Sequence, residues 1–133
     1  MSEILVDNLT GKTSAGDITV TSEGGTATQS LQQGLAKVWV HFDATSGTPT
    51  VQDSFNEDSI TDSGVGNFTI NFINEMDNDD FSVSVGGGSS GASNRNASVD
   101  GIAASSVSQL AYNNSNAQVD MLFNFTIVHG DLA

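Results

Sequence analysis

Between Lys37 and Asp43 the chain reads KVWVHFD, and apolar Val38, Val40 and Phe42 alternate with Lys37, Trp39, His41 and Asp43. Successive side chains of a strand point to opposite faces, so a period of two predicts a strand with one face against a core. The same period recurs downstream. GNFTINFI places Phe68, Ile70 and Phe72 inward and Thr69, Asn71 and Ile73 outward. FSVSVGGG places Phe81, Val83 and Val85 inward and Ser82 and Ser84 outward. AQVDMLFNFTIVHGDLA places Val119, Met121, Phe123, Phe125 and Ile127 inward and Asp120, Asn124 and Thr126 outward. Fainter candidates cover 51–55, 59–62, 97–103 and 107–113. Short strands at this spacing, with turn residues between them, argue an all-β antiparallel sandwich or barrel, and a jelly-roll-like sandwich is expected. Phe42, Phe55, Phe68, Phe72, Phe81, Phe123 and Phe125 are its expected core, and GGGSSGASNRN, 86–96, an exposed loop.

The first 35 residues read differently. Two brief strand-like runs, Ile4–Val6 and Ile18–Thr21, are separated by glycine-containing turns, and neither buries much alone. In TATQSLQQGLAK, 26–37, Leu31 and Leu35 stand four apart on one helical face, with Thr26 or Thr28 as N-cap and Gly34 as a weak point. The chain is therefore expected to divide into an N-terminal arm with one short helix, 1–35, and a β-domain, 36–133. Ile4, Val6, Leu9, Leu31 and Leu35 are the arm's candidate contacts with a neighbouring subunit or a larger partner.

Charge excludes several functions. Sixteen acidic residues oppose Lys12, Lys37 and Arg95, a net charge of −13. Nucleic-acid binding and attraction to anionic membranes both need basic patches that three scattered cations do not form. No apolar run approaches the roughly 18 residues of a membrane span. The start, MSEILVDNLT, has no basic or apolar signal region, so synthesis without the secretory pathway is expected.

Chemistry finds little purchase. There is no cysteine, and His41 and His129 are the only histidines. No G-x-S-x-G elbow is present, and nothing singles out two of the many carboxylates as an acid–base pair. An enzyme is not expected, nor a cofactor. EMDNDD, 75–80, places Asp77, Asp79 and Asp80 near one another as weak candidates for a hard cation. The spacing and glycine of a calcium loop are missing, so a solvated acidic connection is the preferred reading. GGGSSG lacks the lysine and following helix of a phosphate-binding loop.

Surface recognition remains. Trp39 and His41 lie opposite the core-facing side of their strand, and Tyr112 stands in the amide-rich AYNNSNA. Aromatic and amide groups suit either a bound sugar or a protein neighbour. A large aromatic on the second face of a sheet argues that this face is also covered, so a subunit contact is expected before a ligand pocket.

The segment AKVWVHFDATSGTPTVQDSFNEDSITDSGVGNFTINFINEMDNDDFSVSV, the ending HGDLA and the opening ILVDNLTGKTSAGDITV resemble small tail-fibre or appendage proteins of tailed bacteriophages from aquatic settings. The likeness spans nearly the whole chain. It implies a non-enzymatic virion protein, localised in the phage particle and made in the host cytoplasm. It further implies a homotrimer that contacts other virion proteins of the tail, an adaptor or the capsid. The resemblance brings no catalytic residues. With only about 35 residues before the β-domain, a capsid-decoration or head-fibre role is the alternative to a tail fibre. Host binding, if through a surface glycan, would fall to 86–96 and 112–117. A free-standing carbohydrate-binding adhesin is the other alternative.

Overall fold

The computed structural model describes residues 3–12, 18–91 and 94–133. The chain forms two compact units, Met1–Leu35 and Ala36–Ala133.

In the first unit, β1 (Thr19–Thr21) and β2 (Thr28–Ser30) form an antiparallel hairpin in which Val20 faces Gln29 across the ladder. Its loop is closed by Ser22, whose carbonyl accepts from Gly25 N–H and whose backbone N–H donates to Ala27 O. The expected helix over 26–37 shrinks to a single turn, α1 (Leu31–Gly34). Thr28 is a strand residue, and the N-cap is Ser30, whose hydroxyl accepts from Gln33 N–H. Leu35 already has extended geometry, so Leu31 and Leu35 do not share a helical face. Gly34 disfavours another turn, and four residues cannot propagate a helix. Residues 4–6 form no strand, and Ile4, Leu5, Val6 and Leu9 are exposed.

The second unit is an antiparallel β-sandwich of eight strands. They are β3 (Val38–Asp43), β4 (Thr50–Phe55), β5 (Glu57–Gly64), β6 (Asn67–Phe72), β7 (Ser82–Gly88), β8 (Asn96–Ala103), β9 (Ser106–Tyr112) and β10 (Phe123–His129). One sheet has the order β4-β3-β10-β7 and the other β5-β6-β9-β8. Val38, Val40 and Phe42 from the first sheet meet Phe68, Ile70, Phe72, Val107 and Ala111 from the second. The Phe42 and Phe68 rings meet edge to face, 5.3 Å apart, and Phe81 packs against Phe72 at 6.2 Å. Edge-to-face contact suits the ring quadrupoles, and these pairs sit where the layers meet. Lys37, expected to point outward with Trp39, is instead buried at the entry to β3, where its N–H donates to Val128 O.

One residue carries the chain from the first sheet to the second. Phe55 ends β4, Glu57 begins β5, and Asn56 between them has φ +57°, the left-handed region that asparagine tolerates best among residues with a side chain. Its carboxamide is fully used. Nδ2 donates to Lys37 O (3.1 Å) and Asn74 O (3.0 Å), and Oδ1 accepts from Asn74 N–H (2.7 Å) and Asn74 Nδ2 (2.9 Å). The chain end is tied in nearby: Met76 bridges to Leu132, and Asp77 N–H donates to Asp131 O.

β10 reverses the expected alternation. Asn124, Thr126 and Val128 are fully buried, whereas Phe123, Phe125 and Ile127 face out. The inward parity holds as far as buried Met121. The chain then bends at Leu122 before β10 begins, so the next inward residue is Asn124, three positions on rather than two. The buried polar groups find partners. Thr126 Oγ1 donates across the sandwich to Gln109 Oε1 on β9 at 2.8 Å, and Asn124 Nδ2 donates within its own sheet to Phe42 O at 3.3 Å and to the nearby Met121 O at 2.8 Å. Burial of polar groups is tolerated when each is hydrogen-bonded.

Candidate functional site

The reversal in β10 builds the molecule's most distinctive surface, the outer face of β4-β3-β10-β7. Alternation along β3 sends Trp39 and His41 outward. Register then sets Ile127 of β10 and Phe55 of β4 on either side of Trp39, and Phe125 and Asp53 on either side of His41. The His41 imidazole lies 4.7 Å from the Phe125 ring at 30° and 6.0 Å from Phe123. Phe55 is 53% exposed, Phe125 42%, Ile127 40% and Phe123 37%. Phe55, Phe123 and Phe125, expected in the core, therefore stand on the surface.

Beside β10, β7 contributes Ser84, Gly86 and Gly88 opposite Ile127, Phe125 and Phe123. A Cβ on Gly86 or Gly88 would touch the Phe125 or Phe123 ring at 3.8 and 3.7 Å. The rings thus lie against bare backbone, as aromatic residues beside strand glycines do. This also corrects the expected loop 86–96: its first three glycines are strand, and 92–93 lie outside the described residues.

Polar groups on this face include His41, Asp43, Asp53, Ser82, Ser84 and His129. His41 Nε2 is shielded from solvent and has no hydrogen-bond partner among the described residues. The Thr45 backbone N–H (2.8 Å) and the Thr45 hydroxyl (2.7 Å) both donate to Asp43 Oδ1 and hold its carboxyl below the usual range, with a smaller contribution from His41. His129 stands four residues beyond Phe125 on the same strand, about 13 Å further along at strand rise.

The other sequence candidates lie elsewhere. Tyr112 is half-buried on β9, in the opposite sheet, paired with Asn96 and bridged to Gln118. The structure does not bring it to Trp39 and His41. Its sheet's outer face mixes Leu110 and Tyr112 with small polar groups: the Thr69 and Ser108 hydroxyls are 3.0 Å apart, and Asn71 Nδ2 donates to Ser59 and Thr61. Asp77, Asp79 and Asp80 are exposed, and among the described residues no three His, Cys, Asp or Glu side chains converge on a metal position. Ile4, Val6, Leu9 and Leu35 are exposed and Leu31 is half-buried. Two cavities of about 220 Å³ lie in the first unit, one against Val20, Thr28 and Gln29 and the other against Leu31, Gly34 and Leu35.

Sequence reasoning reached Trp39 and His41 but missed Phe55, Phe123, Phe125 and Ile127 as their neighbours. The available signal was the run of glycines at 86–88, which leaves room for rings beside it. Among the described residues no helix is long and apolar enough to cross a membrane. No family model, no curated protein and no solved structure matches this chain.

Proposed function

We propose that this chain is a non-enzymatic structural protein of a tailed-bacteriophage virion, of the small tail-fibre or appendage type. Residues 1–35 anchor it, and the β-sandwich is displayed and meets neighbouring protein. The observation that carries the structural reading is the apolar outer face around Trp39, Phe125 and Ile127, surface of the kind that marks protein contacts. The assignment to a phage rests on the sequence resemblance across 36–85, the opening segment and the HGDLA ending. An acidic surface suits such a role, since like charge keeps crowded copies apart outside their proper contact.

Mass spectrometry and cryo-electron microscopy of purified phage particles test the proposal. The protein is expected at fixed copy number at the tail. Density on the icosahedral shell would replace the tail-fibre role with capsid decoration, and absence from particles would overturn the virion reading. His41 and Asp53 beside open rings favour one second reading, a glycan-binding adhesin. It predicts that Trp39→Ala abolishes binding on a glycan array while the fold is kept.

A further inference from the structure

We infer that the free edge of β7 is a strand-addition site. It takes an extended segment of a different protein, apolar along its length and basic at one end. The inference goes beyond the virion reading and does not rest on it.

The edge strands of the sandwich are β4 and β7 in one sheet and β5 and β8 in the other. An edge strand shows unpaired N–H and C=O groups that another strand can use, and charge, proline or a bulge ordinarily blocks such pairing. The other edges are blocked in these ways. β4 follows Pro49, carries Asp53 and shifts register against β3. β5 carries Glu57, Asp58 and Asp62 and shifts register against β6 near both ends. β8 carries Asp100 and shifts against β9 between Val99 and Gly101. β7 reads SVSVGGG, with no charge and no proline, and pairs with β10 from Ser82 to Gly88 without a shift. Among the described residues, no backbone hydrogen bond or bridge ties up its other edge.

Packing inside the domain explains only one of the edge's glycines. A Cβ on Gly87 would run into the end of Met121. Gly86 and Gly88 would accept a Cβ at ordinary contact distance, 3.8 Å from Phe125 and 3.7 Å from Phe123, and neither has a positive φ. Glycine inside a strand weakens it and often marks the close approach of another backbone. A strand added beside β7 would lie about 4.8 Å further out. Its outward side chains opposite Gly86 and Gly88 would meet the Phe125 and Phe123 rings with no β7 side chain between them. Apolar residues fit there.

Charge sets the rest of the partner's chemistry. Exposed Asp77, Asp79 and Asp80 lead into β7 through Phe81, and Asp77 N–H donates to the carbonyl of exposed Asp131. His129 is paired with Ser82, and Arg95 follows the opposite end of the strand. Lysine or arginine at the end of an added strand that passes 77–80 is attracted by those carboxylates. This chain does not supply such a strand. Its exposed apolar segment, 4–9, comes with Glu3 and Asp7 against a single Lys12, and Lys37 and Arg95 adjoin strands already paired in the sandwich. Two copies at −13 also repel each other. A basic extended segment of another protein meets every condition.

Amide hydrogen exchange of the full chain, followed by NMR, is the test. The probes are short synthetic peptides of alternating valine and threonine with lysines at one end, made in both chain directions so that parallel and antiparallel addition are both open. One lysine peptide should slow exchange within 82–88 and leave 50–55, 57–64 and 96–103 unchanged. Replacing its lysines with glutamates should weaken binding roughly tenfold, the scale of exposed ion pairs made repulsive. Methylating its alternate backbone nitrogens, one set and then the other, should abolish binding for the set that faces β7, which a contact through charge alone would not show. Gly86→Thr/Gly88→Thr, tolerated at those contact distances, should weaken binding, and Ile102→Thr on β8 should not. Absence of protection with either lysine peptide would overturn the inference. So would protection at another edge, equal binding of the glutamate or of both methylated peptides, or protection of the outward amides of 82–88 without peptide. That last result would mean the chain's own arm if constant on dilution, and a second copy if it rises with concentration. None of these results depends on where the protein sits in a virion, so the two proposals fail separately.

Discussion

Replacing Asn56 with alanine tests whether one side chain holds the two sheets together at their crossing. The carboxamide makes four hydrogen bonds from a buried position, two to Lys37 O and Asn74 O and two from Asn74. A net hydrogen bond contributes roughly 0.5–1.5 kcal/mol, and a buried group left without a partner costs about 1–3 kcal/mol. Asn74 is exposed, so water can replace its lost partners, but the Lys37 carbonyl is reached through a buried contact. Lost bonding therefore comes to about 2–3 kcal/mol. Alanine at φ +57° adds about 1–2 kcal/mol of backbone strain, for a total of about 3–5 kcal/mol. Asn56→Gly removes the same bonds without that strain and should lie about 1 kcal/mol above the alanine variant. Urea unfolding followed by circular dichroism measures both, with an unchanged slope marking a true stability difference. An alanine variant within 1 kcal/mol of the parent, or one no worse than glycine, would refute this account of the corner.

Three further expectations follow from particular contacts. Gly66→Ala should cost more than about 3 kcal/mol, because φ is +65° and its Cβ would lie 2.6 Å from Ala111 O and 2.7 Å from Val119 N, backbone atoms that cannot swing aside. Gly47→Ala, at φ +79° with open space around it, should cost only about 1 kcal/mol, and thermal unfolding separates the two. Thr126→Val keeps the side-chain shape but takes the donor from Gln109 Oε1, so a loss of about 1–2 kcal/mol is expected in urea unfolding despite the added apolar surface. Thr45→Val should raise the Asp43 titration midpoint, seen by carboxyl carbon NMR, while the Thr45 N–H still holds it below the usual range. A carboxyl whose folded value is depressed stabilises the fold above its ordinary titration range and loses that contribution as pH falls through the folded value, so any acid destabilisation from Asp43 should be smaller in the variant.

The DSFN, NEMD and HGDLA segments each hold a structural position. The asparagine of DSFN is the sheet-crossing corner. The methionine of NEMD and the ending HGDLA meet each other, with Met76 bridged to Leu132, and a Cβ on Gly130 would collide with Phe81 and Met76. A left-handed residue in a strand-rich stretch is a local property that the DSFN segment carries within itself. Its partners Lys37 and Asn74 are about 18 residues away on either side, beyond any local pattern.

Sequence alone determined that this chain is all-β, with strands that turn one face inward; that they close as two packed sheets is seen in the structure. The alternation of Val38, Val40 and Phe42, and of Phe68, Ile70 and Phe72, admits one inward face, because the opposite positions on those strands are largely polar or solvent-tolerant. It could not determine which way β10 faces. There Phe123, Phe125 and Ile127 alternate with Asn124, Thr126 and Val128, and hydrophobicity selects the former. Tertiary structure selects the latter, because Gln109, seventeen residues before Thr126, completes the hydrogen bonds that let Thr126 be buried. Period two shows that a strand has two unlike faces. Which one enters the core depends on partners brought from other strands, and here that choice leaves the aromatic surface outside.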